Sequence, residues 1–155
     1  MASWSQIEME EPEFARRAKE LFGVHKHKTL ATLRKDGSPR ISGTELSFVE
    51  DDIWFGGMLN SRKALDLQRD PRFAIHGPTV DPSDDWKGDV KISGRAVEVH
   101  DDEVKRKVAG SEGPGGDFHL FRADIDEVVV TAVDGNYLKI DLWEEGKGLR
   151  SFKRT

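Results

Sequence analysis

The chain contains no cysteine. Disulfides, iron–sulfur clusters, thiolate zinc sites and cysteine nucleophiles are therefore excluded. That fits a reducing interior, and a cytoplasmic location is the expectation. No apolar run approaches the roughly 18 residues of a membrane-spanning helix, so no membrane span is expected. The opening MASWSQIEMEEPE is acidic and lacks the basic-then-apolar order of a secretory signal, so none is expected there. Excess positive charge is also missing. The 24 Lys and Arg against 29 Asp and Glu leave a net charge of -5, which disfavours bulk binding of nucleic acid. Apolar residues make up only 36% and charged residues 34% of the 155 positions. A chain of this length is expected to form one domain, residues 1–155, burying roughly 70% of its unfolded surface. So modest an apolar share points to a partner subunit or a bound ligand as a further source of apolar surface.

No internal repeat or low-complexity tract is present. Gly110 to Gly116 (GSEGPGG) and Gly77 to Gly88 (GPTVDPSDDWKG) read as surface loops. Phe14, Ala18, Leu21 and Phe22 fall at helical spacing between Pro12 and Gly23, predicting a helix over Pro12 to Phe22. KTLATL, the Asp36-Gly37 turn and a strand through Ile41 to Val49 form a hairpin signal. Further strands are predicted at Ile53 to Gly56, Arg72 to His76 and Asp89 to Val99, and in FHLFRA, IDEVVVTAV and YLKIDLW. Short helices fit Ser61 to Arg69 and the stretch from Asp101 through Val108. About seven short strands and two or three helices predict a mainly β protein built on a small barrel.

The chemistry concentrates in Met58-Leu59-Asn60-Ser61-Arg62-Lys63-Ala64-Leu65. Ser61 is predicted to cap the helix through its hydroxyl, which places Arg62 and Lys63 in the first turn. Two cations there oppose the helix macrodipole, at about 0.3–1 kcal/mol each. A bound anion resolves the conflict, since N–H groups, a hydroxyl and two cations converge on it; a solvated surface turn is the alternative. His25 and His27 flank Lys26, without a third residue to complete a metal site. GSEGPGG lacks the Gly-Lys-Ser/Thr ending of a phosphate-binding P-loop, and no G-x-S-x-G elbow occurs. The pairs Asp51-Asp52, Asp84-Asp85 and Asp101-Asp102 read as turn and cap residues. Trp54, Trp86 and Trp143 read as core or interface residues that could also stack on an aromatic ligand.

The series TLATL, Asp36-Gly37-Ser38-Pro39, two strands ending in Gly56-Gly57, Ser61-Arg62-Lys63-Ala64 and Asp70-Pro71-Arg72 resembles the pyridoxine/pyridoxamine phosphate oxidase-like family. The likeness runs from about Lys28 to Val99. It implies a split β-barrel of the FMN-binding type, assembled as a homodimer with cofactor sites at the interface. It further implies that Ser61, Arg62 and Lys63 hold the flavin phosphate, that Ser42, Gly43 and Thr44 lie along the ring, and that Gly56 and Gly57 approach the ribityl chain and ring. Neighbouring glycines let the backbone come close to a ligand. The vitamin oxidases carry an arginine where Ser42 aligns and a glutamine near Asp89, and Lys91 is expected to replace one of these contacts. The GLRSFKR tail does not match the Arg-x-His-type segment that grips the vitamin substrate, so the resemblance does not extend to that activity.

The resemblance implies an FMN-dependent oxidoreductase acting on a small-molecule substrate that the residues do not name. A flavin carries the electrons itself, so the absence of a side-chain nucleophile or general base fits this expectation. Two alternatives share the fold. One is a reductase using a deazaflavin coenzyme, whose longer anionic tail could be served by Lys26, Lys28 and Arg62. The other is a non-catalytic flavin- or haem-binding protein. Gly77 to Gly88 and Gly110 to Gly116 are the loops expected to border the cleft.

Overall fold

The computed structural model describes residues 1–83, 85–110 and 116–155. Two helices open the chain. In α1 (Trp4–Glu10), Ser3 and Gln6 form a reciprocal capping box, and Trp4 and Ile7 are buried. Pro12 begins α2 (Pro12–Phe22), whose Phe14, Ala15, Ala18 and Phe22 make the buried stripe that the spacing predicts. The helix α1 gives too short a periodic signal to be read from sequence.

The strands follow as β1 (His27–Leu33), β2 (Pro39–Glu45), β3 (Ser47–Val49) and β4 (Asp52–Met58). Next come α3 (Arg62–Arg69), β5 (Arg72–His76), β6 (Asp89–Glu98), α4 (Asp102–Ala109), β7 (Phe118–Asp134), β8 (Tyr137–Glu144) and β9 (Gly148–Arg154). Asp36 shapes the β1–β2 turn by accepting from the Ser38 N–H at 2.9 Å, and Gly37 takes a positive φ of 87°. Asp101 caps α4 as predicted, accepting from the N–H groups of Glu103 and Val104.

Among the described residues every strand pairing is antiparallel, in the order β2-β1-β5-β6-β7-β4-β3, with β8 and β9 added beyond β7. The strand predicted from Ile41 to Val49 breaks at Leu46. Its first half pairs with β1 and its second with β4, so one residue links the two ends of the sheet path. The barrel is thus joined there by the chain and not by a ladder of hydrogen bonds, which defines a split β-barrel.

Two further differences from the predicted elements concern β7 and the C-terminal segment. FHLFRA and IDEVVVTAV form one strand of 17 residues, long enough to pair first with β4 and then with β8 on the same edge. Ala2 bridges the interval between those partners through two hydrogen bonds with Ile125, at 3.1 and 2.9 Å. At the register shift between Ser93 and Gly94, Asp126 is the extra residue on β7, a bulge that bends that strand. A Cβ at Gly94 would lie 1.9 Å from the Asp124 carbonyl, so the crossing requires glycine. The basic GLRSFKR tail forms β9, which brings the strands among the described residues to nine. Phe22, Phe55, Phe73, Phe121, Trp4 and Trp143 fill the core with the inward aliphatic residues.

Candidate functional site

A cleft of about 630 Å³ opens at the split, within the usual range for a small-molecule site. The β1 entry contributes Lys26, His27 and Lys28, and the end of β2 contributes Gly43, Thr44 and Glu45. Trp54 to Met58 of β4 run along it, joined by Leu46, Ser47, Lys63, Ala109, Phe118 and Leu120. The site is therefore apolar over much of its wall and carries three lysines against one glutamate, in a chain whose overall charge is negative.

Of the residues singled out in the sequence, Gly43, Thr44, Gly56, Gly57 and Lys63 meet at this cleft. The two glycines act differently. A Cβ at Gly56 would lie 2.7 Å from the His119 carbonyl oxygen, so Gly56 permits close β4–β7 pairing. A Cβ at Gly57 would lie 2.7 Å from Ser61 Oγ and 3.2 Å from Lys63 Cε. Gly57 thus lets the Ser61 and Lys63 side chains at the start of α3 pack closely against β4.

Ser61 occupies the N-cap position of α3 but makes no side-chain capping bond. This corrects the expected hydroxyl cap. Its Oγ is buried and has no hydrogen-bond partner among the described residues. Lys63 Nζ donates to the Gly43 carbonyl at 2.9 Å, tying α3 to β2 across the cleft. Burial holds the Lys63 ammonium below the usual lysine range, against the opposing pull of Glu45. Lys28 is lowered by burial in the same way, and its Nζ donates to the carbonyls of His25 and Lys26, each at 2.8 Å.

Ser61 does not itself line the cleft, and three more of the expected positions lie elsewhere. Arg62 follows Ser61 by one residue but turns away from Lys63, because successive residues of a helix are about 100° apart. It lines a neighbouring concavity of about 400 Å³ with Arg34, Arg40 and Arg69. Asp66 organises that surface, accepting from Thr32 Oγ1 at 2.7 Å, Arg40 Nε at 2.6 Å and Arg69 at 3.1 Å. Burial pushes the Asp66 carboxyl up, but these hydrogen bonds outweigh it and hold it below the usual range. Ser42 sits farther along β2, opposite Leu30, and does not line the cleft. Lys91 is exposed on β6, and β7 intervenes between β6 and β4.

The segment Gly77 to Gly88 borders a different groove, with Leu21, Val24 and Val133. Asp84, and Ser111 to Gly115 of the second predicted loop, lie outside the described residues. Phe118 and Leu120 were not singled out by sequence reasoning, although their period-2 spacing marks them as one face of a strand. Trp54 lines the cleft with its indole N–H donated to the Val49 carbonyl at 3.3 Å, whereas Trp143 is buried with its N–H on Glu10.

An antiparallel split barrel with a basic cleft at its seam is the class that fold and site define. Residues 14–132 match the family described as pyridoxamine 5'-phosphate oxidase, and the chain belongs to that family. The fold is shared with PhzG of Burkholderia lata, solved with tetrahydrophenazine-1-carboxylic acid, at 15% identity and a TM-score of 0.66 over 97% of this chain and 92% of that one. It is also shared with a pyridoxamine 5'-phosphate oxidase-related, FMN binding protein of Nostoc punctiforme, at 15% identity and a TM-score of 0.63 over 100% and 98% of the two chains. HutZ, the haem storage protein of Vibrio cholerae, is similar as well, at 21% identity and a TM-score of 0.61 over 78% and 94%. No curated protein matches the chain. Among the described residues, no helix is long and apolar enough to cross a membrane.

Proposed function

We propose that residues 1–155 act as one FMN-binding domain and that the protein is a flavin-dependent oxidoreductase. The observation that carries this reading is the unpartnered Ser61 hydroxyl beneath Gly57, beside the half-buried ammonium of Lys63. A buried hydroxyl without a partner costs about 1–3 kcal/mol. A phosphate at the start of α3 would accept from Ser61, pair with Lys63 and meet the positive end of the helix dipole. The residues present therefore fit the phosphate of FMN. Arg62 adds positive potential from the adjoining concavity.

The rest of the cleft fits a planar aromatic ring. Trp54, Phe118 and Leu120 supply apolar surface that excludes water, while the backbone at Gly43 and Gly56 is unshielded by side chains. FMN, when bound, supplies reversible electron transfer. The chain's own part is to hold the phosphate, orient the ring and leave one approach open to a small-molecule substrate. Ser42 and Lys91 do not line the cleft of the single chain.

We further infer a homodimer that covers the cleft rim. Ile41 on β2 is 74% exposed, and Met58 and Leu59 at the β4–α3 turn are 80% and 53% exposed. These apolar residues lie on the two elements that frame the cleft, where a second copy would bury them. Sedimentation equilibrium tests this, and a monomer at micromolar concentration refutes it.

Two rival ligands each have an observation in their favour. Lys26 and Lys28 at the β1 entry suit the longer anionic tail of a deazaflavin coenzyme. His27 at the cleft offers a nitrogen to a haem iron, and two proteins of this fold are described as haem storage or haem binding. The absorbance spectrum of the purified protein separates the three, because flavin, deazaflavin and haem have distinct band patterns. Stopped-flow mixing with NADH or NADPH then tests catalysis. Reduction of bound FMN no faster than that of free FMN rejects the oxidoreductase.

A further inference from the structure

Directly across the β4–β7 ladder from Gly57 stands His119. Its neighbours Phe118 and Leu120 line the cleft, while its own side chain makes contacts with the turn and with Glu98. The ring Nε2 lies 3.2 Å from the Asn60 backbone N–H, which donates to it. Nδ1 lies 2.6 Å from Glu98 Oε1. Gln68 of α3 donates to both carboxylate oxygens of Glu98, at 3.1 and 2.9 Å. These bonds form a closed chain from the β4–α3 turn, through β7 and β6, back to α3.

Only one protonation state satisfies this geometry. Nε2 must carry a lone pair to accept from Asn60, so the proton sits on Nδ1 and points to Glu98. The bond holds an unusual backbone, since Asn60 has a positive φ of 59°. It also constrains the adjacent residue. Ser61 N–H closes the same turn on the Met58 carbonyl at 3.0 Å, so displacement of Asn60 moves Ser61.

We propose that neutral His119 is a positioning residue for the anion cradle. Through Asn60 it sets the Ser61 hydroxyl beneath Gly57, and its protonation releases the turn and weakens ligand binding. This rests on the phosphate reading of Ser61 and Lys63. A proton on Nε2 would face the Asn60 N–H, two donors in place of a donor and an acceptor. Glu98 faces the ring from β6, with His100 3.8 Å from Glu98 at the end of that strand. On the β7 side, Asp117 immediately precedes Phe118 and is paired with Lys105 of α4 at 3.0 Å. Gln68 is the uncharged contact from α3, 3.5 Å from Nδ1.

The test uses the full chain and three forms: unaltered, His119→Ala and His119→Gln. The Gln side chain offers an oxygen to Asn60 and an N–H to Glu98 without titrating. Calorimetric titration with FMN at neutral pH should show about two- to tenfold weaker binding for His119→Ala, the range for one lost hydrogen bond, and its recovery in His119→Gln. Between neutral and mildly acidic pH, the unaltered protein should lose at least threefold more affinity than His119→Gln. The Gln form reports the loss due to protonation of the phosphate itself, which has a pKa near ~6. Equal losses in the two overturn the proposal. In the unliganded protein, the Asn60 amide resonance should shift with pH in the unaltered chain and stay fixed in His119→Gln. A resonance that ignores pH in both refutes the role of His119 even where FMN binds. A resonance that titrates as expected in a chain that binds no FMN at any pH overturns the phosphate reading alone.

Discussion

Replacing Gly57 with alanine isolates the binding role of β4 from its role in the sheet. The added Cβ would lie 2.7 Å from Ser61 Oγ and 3.2 Å from Lys63 Cε, both side-chain atoms free to give way. The fold should therefore tolerate Gly57→Ala, with a melting temperature close to that of the unaltered chain. The cradle should not tolerate it, because the hydroxyl and the ammonium are pushed out of register. Loss of one hydrogen bond to a charged phosphate is worth about 1.5–3 kcal/mol, or roughly ten- to hundredfold in affinity. Gly56→Ala is the matched control. Its Cβ would lie 2.7 Å from the His119 backbone carbonyl, which cannot rotate aside. Overpacking of that kind costs about 1–3 kcal/mol, and each kcal/mol lowers the melting temperature of a chain this size by about 2–4 °C. Calorimetric titration with FMN and thermal melts without ligand read the two effects separately. The reasoning fails if Gly57→Ala binds FMN as tightly as the unaltered protein, or if it melts as low as Gly56→Ala.

Lys63→Met should weaken FMN at least tenfold, the scale of a charge-assisted contact. It should also raise the unliganded melting temperature, because burial disfavours the ammonium in the folded state; a lower melting temperature contradicts that account. Arg62→Ala should weaken FMN less than Lys63→Met does, since Arg62 lines the neighbouring concavity; calorimetry giving the reverse order would place the phosphate on the Arg62 side of α3. Asp66→Ala should destabilise the fold by about 3–5 kcal/mol in urea titrations, because it leaves Arg40 and Thr32 without their buried partner. Asp66 is lowered in the folded state, so its stabilisation is present above the unfolded carboxylate pKa of about 4 and lost as pH falls below it. Asp66→Asn should accordingly flatten the acid limb of the stability curve, and an unchanged limb would remove Asp66 from that role.

Local patterns carried much of the fold. Asp36-Gly37 and Asp134-Gly135 mark hairpin turns because each needs a residue that takes a positive φ, and both glycines do. The apolar stripe of α2 was equally legible, since it depends only on helical spacing. The break at Leu46 was not, because nothing local distinguishes a residue inside a strand from one where the chain changes partners. The site divided along the same line. Gly57, Ser61 and Lys63 were visible as one contiguous segment, and they meet in space. The apolar wall at Phe118 and Leu120, and the tie from His119 to Asn60, join residues about sixty positions apart. No spacing rule covers that distance.

The sequence by itself thus determined a mainly β chain with no thiol chemistry, its hairpins and helices, and a short segment rich in anion-binding groups. Only the tertiary structure decided which groups act together. Helical rotation sends Arg62 and Lys63, adjacent in sequence, into separate concavities. Strand order sets β7 between Lys91 and the cleft strand β4. The fold also turned the expected Ser61 cap into a buried hydroxyl without a partner among the described residues, packed against a glycine of a strand that pairs far away in the chain.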